Sequence, residues 1–236
     1  MKKFILILFS LLLLFQITGC NNNNVVDDTT NDTDEYVEVI MPEKGQDISI
    51  DNNEFKVIKI DGSEAILLLN ESYKDVTFGE NDIYENSNVD KECEKFYNSL
   101  PEDMKNAIIE KDINIYEYEV GVLEINEANG RSPAGYSYES KNLLTTIRRH
   151  AYVLDPEDIE EYLSGNFTSD TLKEMFNNRE FDFPWLRSRD AGNPYNGIWG
   201  INSQSGEIMS YGLENTSAVR PAFVIDLNKI KFSIIK

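Results

Sequence analysis

The C-terminal region predicts strand structure most clearly, in the segment Ala218-Val219-Arg220-Pro221-Ala222-Phe223-Val224-Ile225-Asp226-Leu227. Its apolar residues are mostly β-branched or aromatic, which favours a strand. Pro221 has no backbone N–H, so we expect it at the start of a strand or on a sheet edge. A second segment, Phe183-Pro184-Trp185-Leu186-Arg187-Ser188, lies upstream, and a stretch rich in glycine, asparagine and serine separates the two. The region therefore predicts short strands joined by turns.

Each segment contributes one arginine, Arg187 or Arg220, next to apolar residues. A guanidinium group can donate forked hydrogen bonds to a carboxylate or to loop carbonyls. Contact with a ligand is the alternative role. Because arginines beside core residues are most often paired internally, we favour a structural role for both.

Upstream, the pattern alternates between strands and helices. Residues 55–60 and 64–69 flank Asp61-Gly62-Ser63, which predicts a hairpin. Ser99-Leu100-Pro101-Glu102 has the serine cap and first-turn proline of a helix that we expect to continue through Ile109. Asp155-Pro156 predicts the start of another helix, ending at Gly165. The remaining predictions are helices at 92–100 and 170–176, strands at 113–118, 120–125, 150–154, 185–187, 198–202, 207–211 and 218–227, and a loop at 126–142.

Helices are thus concentrated in the first two thirds and strands at the end. That distribution predicts an α+β fold built on an antiparallel sheet, with two to four short helices.

The N-terminus has the pattern of an export signal. Met1-Lys2-Lys3 is basic, residues 4–15 are apolar except Ser10, and Ile17-Thr18-Gly19-Cys20 resembles the bacterial lipobox. The apolar run is shorter than the roughly 20 residues of a membrane-spanning helix. We therefore expect a signal peptide at 1–19 and lipid on Cys20. The alternatives are an ordinary secretory signal with a chance cysteine and an uncleaved anchor.

Residues 21–35 are polar and acidic, so they predict a disordered tether within 20–40, followed by one domain at 41–236. The expected location is the cell membrane, lipid-anchored and facing the extracytoplasmic side. The chain has 22 Lys+Arg against 42 Asp+Glu, a net charge of −20. Such acidity disfavours nucleic acid and anionic lipid surfaces as partners. Cys93 would be the only thiol remaining, and we expect it to be a small, buried or half-buried apolar residue without a reactive role.

Catalytic and cofactor motifs are absent from the sequence. His150 is the sole histidine, next to Arg148 and Arg149, so neither a histidine-rich metal site nor a nucleophile triad is predicted. No glycine-rich phosphate loop is present, so no nucleotide is expected. We expect no cofactor and no metal, although Asp190 and Asn193-Pro194 faintly resemble a calcium motif. With 42 acidic residues, pairs of carboxylates that could suit a glycoside hydrolase are expected by chance, so they are weak evidence for such an enzyme.

Several aromatic residues lie among glycine, asparagine and serine, a composition typical of adaptable recognition surfaces. The candidate ligand-binding residues are Tyr136, Tyr138, Tyr195 and Trp199. Filling the core is the alternative for these side chains, and it is the favoured one for Trp185.

The two C-terminal segments resemble the bacterial family called domain of unknown function 6273 (DUF6273), which has a W-W-L-R-S-P segment followed by V-R-P-A and an apolar strand. The matching signature here is Trp185, Arg187, Ser188, Arg220 and Pro221, with a weaker likeness over about 50–230. Pro184 and Arg189 depart from the family pattern. The resemblance implies a C-type-lectin-like domain. A formylglycine-generating activity would need C-terminal cysteines, and residues 94–236 contain none.

These observations predict a lipid-anchored surface protein with a non-catalytic module that binds glycan, peptide or another envelope protein. A structural or assembly lipoprotein without a small ligand is the second reading. A carboxylate-dependent envelope hydrolase is the third.

Overall fold

The predicted hairpin around Asp61-Gly62-Ser63 is confirmed in the computed structural model, which describes residues 40–122, 136–163, 169–176, 183–192, 197–202 and 205–235. Strand β2 (Asn53–Asp61) pairs antiparallel with β3 (Glu64–Leu69). Gly62 takes a φ of 63°, a left-handed conformation that glycine adopts without strain. A preceding strand, β1 (Asp47–Ile50), was not predicted and pairs with β2 through a two-residue turn.

The remaining strands in chain order are β4 (Lys74–Thr77), β5 (Ile108–Ile109), β6 (Lys111–Val122), β7 (Tyr136–Arg149), β8 (Trp185–Asp190), β9 (Gly197–Asn202), β10 (Glu207–Gly212), β11 (Thr216–Val219), β12 (Ala222–Asp226) and β13 (Ser233–Ile234). They form a six-stranded sheet of order β13-β1-β2-β3-β12-β5, a five-stranded sheet of order β10-β9-β8-β6-β7, and the pair β11-β4. All described pairings are antiparallel except β6 with β8. The predicted α+β class with mostly antiparallel sheets is thus confirmed.

Strand β12 is an interior strand of the six-stranded sheet, next to the edge strand β5. It lies between β3 and β5, and four of its five residues are buried. The continuous strand predicted over 218–227 is wrong, because the chain divides at Pro221 into β11 and β12. Pro221 accepts a hydrogen bond from Leu69 N (2.9 Å) and directly precedes β12, which agrees with its predicted position at the start of a strand.

The predicted loop at 126–142 is wrong for residues 136–142, which belong to β7; residues 123–135 lie outside the described residues. Strand β7 pairs with β6 from Lys111↔Arg149 to Val122↔Tyr136. The serine and asparagine content of 136–142 favours a loop locally. Pairing with the neighbouring strand overrides that local preference.

Four short α-helices are present among the described residues: α1 (Asn88–Ser99), α2 (Glu102–Ala107), α3 (Pro156–Leu163) and α4 (Ser169–Met175); a 3-10 turn follows β12 at Leu227–Lys229. The predicted serine cap of α2 is wrong, because Ser99 Oγ donates to Phe96 O (2.7 Å) at the end of α1. Helix α2 also ends before the predicted Ile109. Ile108 and Ile109 instead pair with β12 at the sheet edge.

Asp155 begins α3 as predicted. Its Oδ1 accepts from Glu157 N (2.9 Å), while its own N–H donates to Asp158 Oδ2 (2.8 Å). The predicted stop at Gly165 lies outside the described residues. The strand predicted over 150–154 is wrong, since only Tyr152 forms an isolated bridge, with Ala222.

One apolar core joins the sheets and the helices. Phe55 packs edge-to-face on Phe223 (5.2 Å between ring centroids), and Phe96 of α1 lies against the same ring at 6.1 Å. Cys93 is buried in the same core, as predicted. Ile40–Lys236 forms one unit by its internal contacts.

Candidate functional site

The L-R-S signature lies in a buried polar network centred on Asp155. Tyr118 Oη donates to Asp155 Oδ1 (2.6 Å), and Ser188 Oγ donates to Asp155 Oδ2. Tyr118, Asp155 and Ser188 are each fully buried. The network therefore connects β6, β8 and the start of α3.

Arg187 completes this network through its guanidinium group. Its Nη1 donates to Val153 O (3.0 Å) and to Asp158 Oδ2 (2.5 Å), and its Nε donates to Asn114 O (2.8 Å). Nε also lies 4.0 Å from Asp155 Oδ2. Buried charges are tolerated when they are paired and hydrogen bonded, and Arg187 meets both conditions.

The electrostatics of this cluster follow from its burial. Loss of solvent raises the pKa of Asp155, against the opposing charge of Arg187 and the hydrogen bonds from Ser188 and Tyr118. Burial lowers the pKa of Arg187, but the carboxylates of Asp158 and Asp155 outweigh it, so the pKa lies above its ordinary value. Arg187 therefore stays charged, and Asp155 is the partner in this pair that can gain or lose a proton.

Arg220 is buried at a second junction. Its Nε and Nη2 donate to Leu69 O (3.0 and 2.9 Å), and its Nη1 donates to Phe176 O (2.9 Å). The guanidinium carbon also lies 5.0 Å from the centroid of the Phe176 ring. Arg220 thus ties the end of β3 to the residue that follows α4.

The signature tryptophan, Trp185, is buried and donates from Nε1 to Val76 O (2.9 Å). Its ring packs edge-to-face against Phe78 and Tyr211. The signature residues that the structure describes therefore face the interior, where they join elements that are distant in sequence.

The structure places the predicted ligand-binding aromatics in different settings. Trp199 lies on β9 with 7% of its surface exposed, and its Nε1 is a buried donor without a hydrogen-bond partner. Tyr136 and Tyr138 belong to β7, where their backbone positions pair with Val122 and Val120 of β6. Tyr195 and the lipidation candidate Cys20 lie outside the described residues.

His150 and Cys93 have separate surroundings. The His150 ring stacks on Tyr97 (4.3 Å, 13° between planes), and its Nδ1 lies 3.9 Å from a carboxylate oxygen of Glu110. Cys93 Sγ accepts from Tyr84 Oη at 3.8 Å, and burial raises the pKa of the thiol. A thiol with a raised pKa is a poor nucleophile at neutral pH.

An open groove of about 600 Å³ lies where the β1–β2 turn meets the end of α1. We call it the Tyr73 groove. Its lining residues are Asp51, Asn52, Asn53, Glu54, Leu69, Glu71, Ser72, Tyr73, Phe96, Ser99, Leu100 and Pro101. The volume is within the range of roughly 300–1,000 Å³ that small-molecule sites occupy.

Tyr73 presents the most exposed aromatic surface in this groove. Its side chain is 36% exposed, and its ring packs edge-to-face on buried Phe96 (5.4 Å, 72°). Its backbone N–H donates to Val219 O (2.9 Å). The ring is thus held from beneath while part of its surface remains open to solvent.

The turn at the other side of the groove has a defined backbone. Asp51 and Asn52 take φ values of 48° and 65°, the left-handed pair that suits a two-residue hairpin turn. Asp and Asn tolerate this region better than other residues with a side chain. Glu54 O accepts from Asn70 N (2.9 Å), which fixes the turn against the segment that contains Glu71 and Tyr73.

Sequence reasoning missed this groove. The alternation of Ile48-Ser49-Ile50 before Asp51-Asn52 could have revealed the β1–β2 hairpin. The meeting of this turn with residues 99–101 has no local signature, because it depends on long-range packing.

A second, smaller cleft of about 280 Å³ lies between α3 and the β2–β3 hairpin. Lys59 Nζ is ion-paired with Glu161 there (2.5 Å). No group of three or more metal-ligating side chains occurs within the described ranges. Within those same ranges, no helix has the length and apolarity needed to cross a membrane.

Comparison with known proteins gives one match. The family model described as "Domain of unknown function (DUF6273)" matches residues 63–227, more than two thirds of the chain. No curated protein and no solved structure matches the chain.

Proposed function

The chain belongs to the DUF6273 family, and from that premise we propose that it is a lipid-anchored extracytoplasmic surface protein whose domain binds a ligand or partner without catalysis. The observation that carries the binding role is the Tyr73 groove, which combines a supported, partly exposed aromatic ring with polar side chains. Small-molecule sites are mostly apolar with a few fixed polar groups, whereas this lining is mainly polar, so the groove's volume and its supported aromatic ring carry the proposal.

The burial of the signature residues supports a structural role for them and not a catalytic one. Arg187, Ser188 and Arg220 are buried and hydrogen bonded within the domain. A catalytic group must reach its substrate, and these side chains reach backbone carbonyls and an internal carboxylate. The signature thus supports the scaffold that holds the groove.

The anchor rests on the lipobox-like Ile17-Thr18-Gly19-Cys20. Cells expressing the chain are labelled with radioactive palmitate and compared with cells expressing Cys20→Ala. We expect label on the wild-type chain alone, together with retention in the membrane fraction. Equal labelling of the two chains, or no labelling of either, would contradict the anchor.

The binding role is tested with a glycan array and with capture from envelope fractions. Tyr73→Ala removes the groove aromatic, while Ile83→Ala, at a side chain that is 51% exposed outside the groove, is the control. We expect a bound ligand to be lost with Tyr73→Ala and kept with Ile83→Ala. A folded wild-type chain that binds nothing in either assay would contradict the proposal.

We also propose the C-type-lectin-like assignment for this domain. It is supported by the resemblance of the terminal segments and by the combination of short helices with mostly antiparallel sheets. An experimental structure whose strand order cannot be superposed on such domains would contradict it.

A further inference from the structure

We propose that the Tyr73 groove takes a cationic ligand, one that presents a primary amine or a guanidinium group. This inference rests on the proposed binding function and names the ligand class for the same site. Three features of the groove support it independently: the charge of its lining, the helix end that forms one wall, and the aromatic ring.

The lining is acidic and contains no basic side chain. Asp51, Glu54 and Glu71 contribute carboxylates, and the twelve lining residues include neither lysine nor arginine. Asp51 and Glu54 are exposed residues, so their carboxylates can meet an incoming group. Carboxylates repel an anionic ligand and form charge-assisted hydrogen bonds with an ammonium or guanidinium donor.

The wall formed by Ser99 and Leu100 is the C-terminal end of α1, a helix of 12 residues. The aligned peptide dipoles give such an end roughly half an elementary negative charge. Many helices place a lysine or arginine in the last turn to balance this charge. Helix α1 has no basic residue there, so a cation bound in the groove would meet a helix end that its own side chains do not balance.

The third feature is the Tyr73 ring. A cation within about 6 Å of an aromatic centroid is attracted to the ring face. Phe96 holds the ring edge-to-face from the buried side, so little side-chain freedom is lost on binding. The lysine near this ring, Lys95, is ion-paired with Glu92 (2.6 Å), and the hydrogen bond to Glu92 raises its pKa.

The test measures binding to the full chain by following amide resonances of isotope-labelled protein during titration. The cationic probes are a capped lysine tripeptide and cadaverine, which separate a peptide side chain from a free diamine. The neutral probes are the same tripeptide with acetylated lysines, and chitotriose. We expect shifts at the groove residues with at least one cationic probe, and at least tenfold weaker binding of its neutral counterpart.

Matched variants separate the groove from the general acidity of the chain. Asp51→Asn with Glu54→Gln removes two charges from the groove, and asparagine suits the left-handed backbone at position 51. The control, Asp61→Asn with Glu207→Gln, removes two charges from exposed residues outside it. We expect at least tenfold weaker binding in the first pair and less than twofold in the second. Tyr73→Ala is expected to weaken binding at least fivefold.

Equal weakening in both charge pairs would overturn the inference, because the attraction would then come from net charge. A neutral probe that binds the groove as tightly as the cationic one, with dependence on Tyr73, would overturn the cationic class while the binding function stands. Absence of groove shifts with all four probes overturns the inference as well. If Tyr73-dependent capture from envelope fractions is also absent, the proposed function falls with it.

Discussion

Arg187→Met provides a direct test of the buried network, because methionine keeps much of the aliphatic volume and removes the charge. The variant loses the bonds to Asp158 (2.5 Å), Asn114 O (2.8 Å) and Val153 O (3.0 Å). It also leaves the fully buried carboxylate of Asp155 without its cationic neighbour. The perturbation therefore combines unsatisfied carbonyls with an uncompensated buried charge.

Removing one partner of a buried ion pair costs about 3–5 kcal/mol. With a urea m-value of about 2 kcal/mol/M, the unfolding midpoint should fall by roughly 2 M. In a domain of this size, the same loss lowers the Tm by roughly 10 °C. The double variant Arg187→Met with Asp155→Asn should recover part of this loss, because it also removes the stranded carboxylate.

The assay is urea unfolding of the purified chain, followed by tryptophan fluorescence and circular dichroism. Arg148→Met is the control, since it removes the same charge from an exposed pair with Asp112 and should cost less than about 1 kcal/mol. Midpoints of the two variants that agree within about 0.3 M would refute the reasoning, because burial would then make no difference.

Three further outcomes are expected. The pKa of Asp155 is raised in the folded chain, mainly by burial, so its stabilising contribution is full below the ordinary aspartate pKa of about 4 and is lost as the pH rises through the raised value. Asp155→Asn should therefore lower the free energy of unfolding most near pH 4 and less near pH 7 in urea unfolding. A loss of stability that grows with pH would contradict the upward pKa shift. Gly200→Ala should destabilise the domain by about 1–3 kcal/mol, because the new Cβ would lie 2.8 Å from the Tyr211 ring and 3.2 Å from Pro184 O. The control Gly62→Asn, at an open turn with a left-handed φ, should be nearly neutral in the same urea unfolding assay. Cys93 should be inert to a thiol-specific chromogenic reagent in the folded chain and react once denaturant is added, since it is fully buried and burial raises its pKa; rapid labelling without denaturant would show that the site opens.

The sequence predicts elements well where the signal is local. Asp61-Gly62 fixes the β2–β3 hairpin, and Asp155-Pro156 fixes the start of α3, because each depends on the conformations available to a few adjacent residues. Residues 136–142 defeat the same reasoning. Their composition is typical of a loop, yet pairing with β6 makes them a strand.

The candidate site is harder to predict than the elements. Tyr73, Asp51 and Leu100 lie far apart in the chain, and the packing of the β1–β2 turn beside α1 brings them to one groove. The aromatic composition instead directs attention to Trp199, which the structure buries on β9. Composition can identify residues suited to recognition, but exposure depends on packing that no short window of sequence contains.

The position of β1 determines how mechanical load would cross this domain. The chain enters β1 at Asp47 from its N-terminal segment, and the groove turn begins at Asp51, just beyond the other end of the strand. Neighbouring strands β2 and β13 bond to β1 on its two sides, both antiparallel. If the proposed anchor and the proposed groove ligand are both correct, tension between them would act along β1 and load its ladders with β2 and β13 in shear.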